Sequence, residues 1–368
     1  MRNPGIAWGA RVVVAVGVIT AALAACEPVI EPVELPLNAA LLAEDGSVVG
    51  TQADGGPYSD SPPAGSEVTI VRWDDGAVEE LASLGPATEV EVTAQNRAGD
   101  IVGQFVRDQV RQAFLLTNDG QLQVLASATS PGVHVPRAID AGRRIVLTPH
   151  PGYGTYYSST QIWDDGIASW PWLHAGFDRS NEAGLAVGAV GASSGKPSVW
   201  ATGSLSPVSF SDRVGSAQAV NEKGTVAGMV LRPGTNQRVA YLWKGSALIE
   251  LPTLPGGQQV TVSHSPGSLN EHDELVGTVT VNGAARAVLW REGEVVDLGT
   301  LAGGTVSRAA VVNESSQVAG ISDNGYHGFL WEDGQMTDLG PAEEILGLNN
   351  DGAVLGRTLT TSLYWPAP

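Results

Sequence analysis

Apolar and polar residues alternate along this chain in short runs, and Gly, Asn-x-x-Gly or Asp-Gly ends most of them. Alternation with period two predicts β-strands. Beyond residue 26 no apolar stretch keeps a 3.6-residue period between helix caps, so essentially no helix is expected. One pattern recurs. An Asn stands seven residues before a Gly that follows small or branched apolar residues, at Asn96, Asn181, Asn221, Asn270, Asn313 and Asn349. Ala43 to Gly50 and Asp140 to Leu147 are degenerate copies, which makes eight, spaced 36 to 53 residues apart. Asn and Asp hydrogen-bond their own backbone and Gly takes positive φ freely, so each copy reads as a tight turn entering a strand.

A second element follows each copy. An apolar strand ends at Trp and runs into a polar turn, at Trp73, Trp163, Trp200, Trp243, Trp290, Trp331 and Trp365, with Leu116 in the second repeat. A third element, such as Val296-Asp297-Leu298-Gly299, comes after that turn. Each repeat is then four short strands. Four strands about every 40 residues predict an all-β fold, a β-propeller of four-stranded blades, with eight blades expected and seven the alternative count. The ends fit a ring. The last repeat stops at Trp365 without a fourth strand, while Glu31 to Pro36 resembles a fourth strand without its first three. An N-terminal strand completing the last blade would leave no open sheet edge.

The N-terminus changes the picture of where the ring works. Arg2 and Arg11 precede an apolar run of 14 residues, Val12 to Ala25, too short for a membrane span and suited to a signal-peptide core. The run ends in Leu23-Ala24-Ala25-Cys26, and Cys26 is the sole cysteine of the 368 residues. These residues resemble the lipobox of bacterial lipoproteins. The resemblance implies cleavage before Cys26, a lipid on its thiol, and a membrane as partner. Pro28, Pro32 and Pro36 read as a stiff tether. The expected organisation is 1–25 signal peptide, 26–30 lipidated Cys and tether, and 31–368 propeller, placed outside the cytoplasm on a bacterial envelope. Charge sets a further limit. The net charge is −19, and −21 once Arg2 and Arg11 leave with the signal. Nucleic acid is therefore not an expected partner.

The repeat as a whole is similar to the bacterial extracellular HAF-repeat family, over about residues 31–365 and most clearly after Gln218. The residues that carry this are Asp297-Leu298-Gly299-Thr300-Leu301-Ala302-Gly303-Gly304, Leu254-Pro255-Gly256-Gly257 and His327-Gly328-Phe329-Leu330-Trp331. The family is a repeat pattern on exported proteins, so the resemblance implies no catalytic residues.

In such a ring the Asn turns and the Asp-Gly turns lie on one face. The long segments Thr51 to Glu67, Pro149 to Thr160, Gly188 to Ser198 and Pro252 to Ser268 are expected on the other, where binding is expected too. The best patch there is His150, Tyr153, Tyr156 and Tyr157, aromatics on a Gly-containing loop that suit stacking on a sugar or a protein partner. Trp170 and Trp172 read as blade packing. Gly191 to Gly195 fits G-x-S-x-G by letter, but a strand follows where a nucleophile elbow needs a helix. His264, His272 and Asp273 do not set metal-ligand spacing. Asp164-Asp165-Gly166 reads as a solvated hairpin tip. No catalytic residue, metal or cofactor is expected. The leading function is a binding or scaffolding module for a protein or glycan. The alternatives are a propeller hydrolase or lyase with its site at the channel mouth, and a purely structural envelope protein.

Overall fold

The computed structural model describes residues 30–54, 62, 65–125, 134–149, 160–169, 175–191, 195–201, 204, 206–322 and 326–367. Among them there is no helix, and the strands form eight four-stranded antiparallel sheets. Seven sheets are consecutive in sequence. The eighth takes three strands from the C-terminal end and its outer one, Val33–Glu34, from the N-terminal end, with Val33 paired to Tyr364 and Glu34 to Leu363. The protein is an eight-bladed β-propeller, closed as the split repeat implies. The inner strands of blades one to eight are Asn38–Leu42, Thr88–Gln95, His134–Ile139, Ala175–Ser180, Gly215–Val220, Gly257–Val262, Ser307–Val312 and Glu344–Leu348.

Register repeats around the ring. The residue two before each repeat's Gly pairs with the Trp of the third strand: Val48 with Trp73, Ile145 with Trp163, Ala186 with Trp200, Val226 with Trp243, Leu275 with Trp290, Val318 with Trp331 and Val354 with Trp365. Ile101 pairs with Leu116 in the same way. The next residue faces the other side of the sheet. Val48 and Trp73 therefore pack against blade eight, while Val49 packs against blade two. Leu275 with Trp290, and then Val276, divide in the same way between blades five and seven. The core is thus a set of wedges, one at each blade interface, and both faces of every second strand are apolar because both are buried.

The Gly of the second strand, present in seven blades, is fixed by close approach. A Cβ on Gly320 would collide with the carbonyl oxygen of Arg308 and with the Phe329 ring. Gly50, Gly103, Gly188, Gly228, Gly277 and Gly356 meet an inner-strand carbonyl in the same way.

The Asn of each turn works in two directions. Its Oδ1 accepts the N–H four residues on, as from Leu185, Thr225, Glu274, Gln317 and Ala353. Its Nδ2 crosses to the next blade and donates to a backbone carbonyl. Asn181 reaches Asn221 O, Asn221 reaches Asn270 O, Asn270 reaches Asn313 O and Asn313 reaches Asn349 O, at 2.9–3.0 Å. Asn96 reaches Asp140 O at 3.1 Å and Asn349 reaches Glu44 O at 3.4 Å. A parallel chain joins the next residues, where the N–H of Glu182, Glu222 and Glu271 donates to the carboxylates of Glu222, Glu271 and Glu314. In blade three Asp140 has no amide to donate. Arg144 holds its carboxylate at 2.8 Å, and the link onward is the N–H of Ala141 to Glu182 O.

Blades two and three are also clasped by Asp100, whose two oxygens accept Arg143 Nη2 and Nε at 3.0 and 2.9 Å. Burial alone would raise the Asp100 carboxyl, but the hydrogen bonds from Arg143, Asn96 and the Asn118 N–H outweigh it and hold the carboxyl below its ordinary range.

Two outcomes follow for stability. Asn270→Ala should cost about 1–3 kcal/mol, the usual effect of leaving buried polar groups unpaired. Asn270→Asp should cost more, because it sets a carboxylate oxygen where Nδ2 now sits 2.6 Å from Glu274 Oε2. Urea melts of the three proteins at pH 7 check the order. The second outcome concerns acid. A carboxyl whose pKa is depressed in the fold contributes stability that is present above the unfolded aspartate pKa, about 4, and lost as pH falls through the folded value. The gap in melting temperature between the parent and Asp100→Asn should therefore narrow from pH 7 to pH 3.

Candidate functional site

Every inner strand breaks register near the same place, one residue after the position opposite the repeat's Gly. A single bulged residue sits there in seven blades: Ala40, Thr93, Arg137, Asp178, Gln218, Ala310 and Leu346. A bulge bends its strand and re-aims side chains. In blade six the single residue is replaced by five. Val262 pairs with Gly277, Ser263–Gly267 leave the strand, and pairing resumes at Ser268 and Leu269 before the Asn270 turn.

This excursion corrects one expectation. Pro252 to Ser268 is not a single connection on the variable-loop face. Leu251 to Gly256 joins the blades, Gly257–Val262 is the inner strand, and Ser263–Gly267 belongs to the end that carries the Asn turns. The excursion is held from both sides. Ser263 Oγ donates to Ala310 O at 2.7 Å, and the Val312 N–H donates to Gly267 O at 2.9 Å. From the other side Arg179 Nη2 donates to His264 O at 2.5 Å, and the Gln218 amide nitrogen lies 2.9 Å from His264 Nε2.

Four of the bulged residues, Ala40, Thr93, Arg137 and Leu346, and the excursion border a cavity of about 860 Å³ at the centre of the ring, lined by inner-strand residues of blades one, two, three, four, seven and eight and by His264 to Gly267. Its volume is that of a small-ligand site. Its charges are ordered. Glu89 pairs with Arg111, Glu344 with Arg357, and Glu91 accepts Gln104 Nε2 at 2.6 Å and lies 3.7 Å from Arg137. Arg179 is half-buried, and among the described residues its guanidinium donates to the carbonyls of Asp178 and His264. Burial holds it below the ordinary guanidinium range against the pull of Asp178, with nearby Arg137 acting in the same direction as burial. Leu42, Leu346 and Leu348 form an apolar stretch where blades eight and one meet.

The residues singled out from the sequence fall into three groups. Cys26, His150, Tyr153, Tyr156, Tyr157, Trp170 and Trp172 lie outside the described residues. The repeat Asn and Trp residues are structural, with Trp290 Nε1 donating to Pro252 O and Trp365 Nε1 to Leu339 O, each at 2.7 Å. His264, His272 and Asp273 do not converge. His264 faces the cavity, His272 pairs with Glu314 at 3.2 Å, and Asp273 pairs with Lys244 at 2.5 Å. Among the described residues no three His, Cys, Asp or Glu side chains group to hold a metal. Asp164-Asp165-Gly166 is an exposed hairpin tip, with Asp165 at φ 42° and Gly166 at φ 89°. Sequence reasoning missed Arg137 and Arg179. The signal available was their place in strand one, ahead of the Asn turn.

No protein-family model matches the chain, and no curated protein matches it. Solved structures do. The β-propeller domain of the trilobed protease of Pyrococcus furiosus, described as having an open velcro topology, is 12% identical at a TM-score of 0.51. The match covers 84% of this chain and 97% of that one. Dipeptidyl peptidase 4 of Porphyromonas gingivalis is 10% identical at 0.52, and a puromycin-hydrolysing peptidase of Mycobacterium tuberculosis 12% identical at 0.51. This chain spans 56% and 58% of those two proteins, against 86% and 89% of itself. At such identities the likeness is of fold alone.

Proposed function

We propose that this protein is a binding propeller without catalysis of its own, held by a lipid on Cys26 on the outer side of a bacterial membrane. It takes hold of a small part of a glycan or protein partner in the cavity at the ring centre. The observation that supports this reading is the cavity itself. Its wall includes the bulged residues of four blades, and its three glutamates are each engaged by an arginine. Carboxylates held in ion pairs favour a binding role over a catalytic one. The resemblance to peptidases stops at the fold and supplies no nucleophile or base to this chain. The lipid anchor rests on Leu23-Ala24-Ala25-Cys26 and on the apolar run before it. Several acyl chains would hold it firmly, at about 0.8 kcal/mol per buried CH₂.

Binding is tested with the full chain in detergent on an array of glycans and cell-wall fragments. Filling the cavity with Ala40→Trp and Thr93→Trp should abolish capture, and Tyr153/Tyr156/Tyr157→Ala should leave it intact. The reverse result would move the site to the variable-loop face. The anchor is tested by labelling cells with radioactive palmitate. The parent should carry label in the membrane fraction, and Cys26→Ser should be unlabelled and lost from that fraction. A Cys26→Ser protein that stays labelled would rule the lipobox reading out.

A further inference from the structure

One corner of the cavity brings two arginines together, of which Arg137 shares Glu91 while Arg179 feels the charge of Asp178 without forming an ion pair with it. Arg137 and Arg179 come from the inner strands of adjacent blades and lie close enough for each to feel the other's charge. Arg137 shares Glu91 at 3.7 Å, while Gln104 holds the other Glu91 oxygen at 2.6 Å. Arg179 makes no ion pair with any described carboxylate and spends two N–H groups on backbone carbonyls. A half-buried guanidinium beside a second one is costly unless a counter-charge is near. This chain has 39 acidic residues against 20 basic ones, so counter-charges are abundant elsewhere. Local disagreement of this kind, set in a cavity, is a mark of a site that receives its missing charge from a ligand.

From this we infer that the Arg137–Arg179 corner binds the carboxylate of a small, singly charged ligand. The inference rests on the central-cavity reading of the function. The flat guanidinium fork matches a carboxylate with two parallel hydrogen bonds. A multiply charged anion is disfavoured, because Glu89, Glu91 and Glu344 share the cavity and the whole ring is acidic. The rest of the wall sets the body of the ligand. Leu42, Leu346 and Leu348 offer apolar contact, and Asn38, Thr51 and Thr93 offer hydrogen bonds. A carboxylate on a body with both kinds of surface occurs in a uronic acid and at the C-terminus of a short peptide.

The rival role for Arg179 is a tie that only holds the excursion through His264 O. Titration calorimetry on the full chain in detergent separates the two. The probes are galacturonate and trialanine, their uncharged-end counterparts galactose and trialanine amide, and inorganic phosphate. One of the two carboxylate probes should bind, which names the source, and its counterpart and phosphate should bind at least about tenfold more weakly. Arg137→Gln and Arg179→Gln should each weaken that probe by at least about tenfold. Without ligand, Arg179→Gln should melt no lower than the parent, since it removes a half-buried charge that makes no ion pair with a described carboxylate. Equal binding of the counterpart, unchanged binding by Arg179→Gln with a lower melting temperature, or no binding of either carboxylate would overturn the inference. If a carboxylate binds as well to Ala40→Trp/Thr93→Trp as to the parent, the central-cavity reading itself falls.

Discussion

The ring stands on one hydrogen bond repeated from blade to blade, the donation from an Asn Nδ2 to a carbonyl of the next turn. A propeller has no sheet running through it, so backbone ladders stop at each blade and something else must set the angle between neighbours. Apolar wedges supply most of the cohesion, but apolar contact has no direction. The Asn side chain has. Asn221 closes its own turn through Thr225 N–H and reaches Asn270 O at 3.0 Å, so turn shape and blade spacing are fixed by the same amide. That explains why Asn recurs where Asp or Gly would make as good a turn. Where Asp140 replaces it, the carboxylate is occupied by Arg144 and a backbone N–H takes over the link.

The wedges then explain the strand chemistry. A second strand such as Val48–Ala53 lies between two other blades, so its first two valines serve different interfaces. The position after them is Gly in seven blades, where a carbonyl of the inner strand fills the space of a Cβ. Trp covers one wedge from the third strand, and in blades six and eight its N–H reaches a carbonyl of the preceding blade or its connection, Trp290 at Pro252 and Trp365 at Leu339. Bulge, Gly and Trp are three consequences of one packing problem solved eight times.

This is why so much of the fold is legible in the sequence and so little of the site is. The Asn turn, the Gly and the Trp are local, repeat about every 40 residues, and need no long-range contact to be read. The split repeat at Glu31 to Pro36 announces the closing strand in the same way. The cavity has no such local mark. It gathers one or two residues from each blade, and the register that aims Arg137 and Arg179 inward depends on bulges that no residue type signals. The excursion at Ser263–Gly267 is also masked, because its Gly and Pro look like any loop and the strand resumes for only two residues before Asn270. Aromatic loops such as Tyr153 to Tyr157 draw attention in a sequence because they are local too.

Departures from the repeat are therefore the informative positions. The bulge carries Ala40, Thr93, Ala310 and Leu346 in blades one, two, seven and eight, all uncharged, and Ala40, Thr93 and Leu346 line the cavity without altering its charge. In blades three to six the same place carries Arg137, Asp178 with Arg179 beside it, Gln218 and the His264 excursion. The bulge position is thus uncharged in one half of the ring and polar or charged in the other, while the cavity's glutamates come from blades two and eight. Blade three is also the one whose turn has Asp140 in place of Asn and whose second strand has Leu147 where the others have Gly. Substitution there has not opened the ring, because Arg144 and the Ala141 N–H replace what Asp140 cannot supply. A repeat whose links are shared between a side chain and the backbone can change blade by blade, and this one has changed on the side where a ligand's charge would be read.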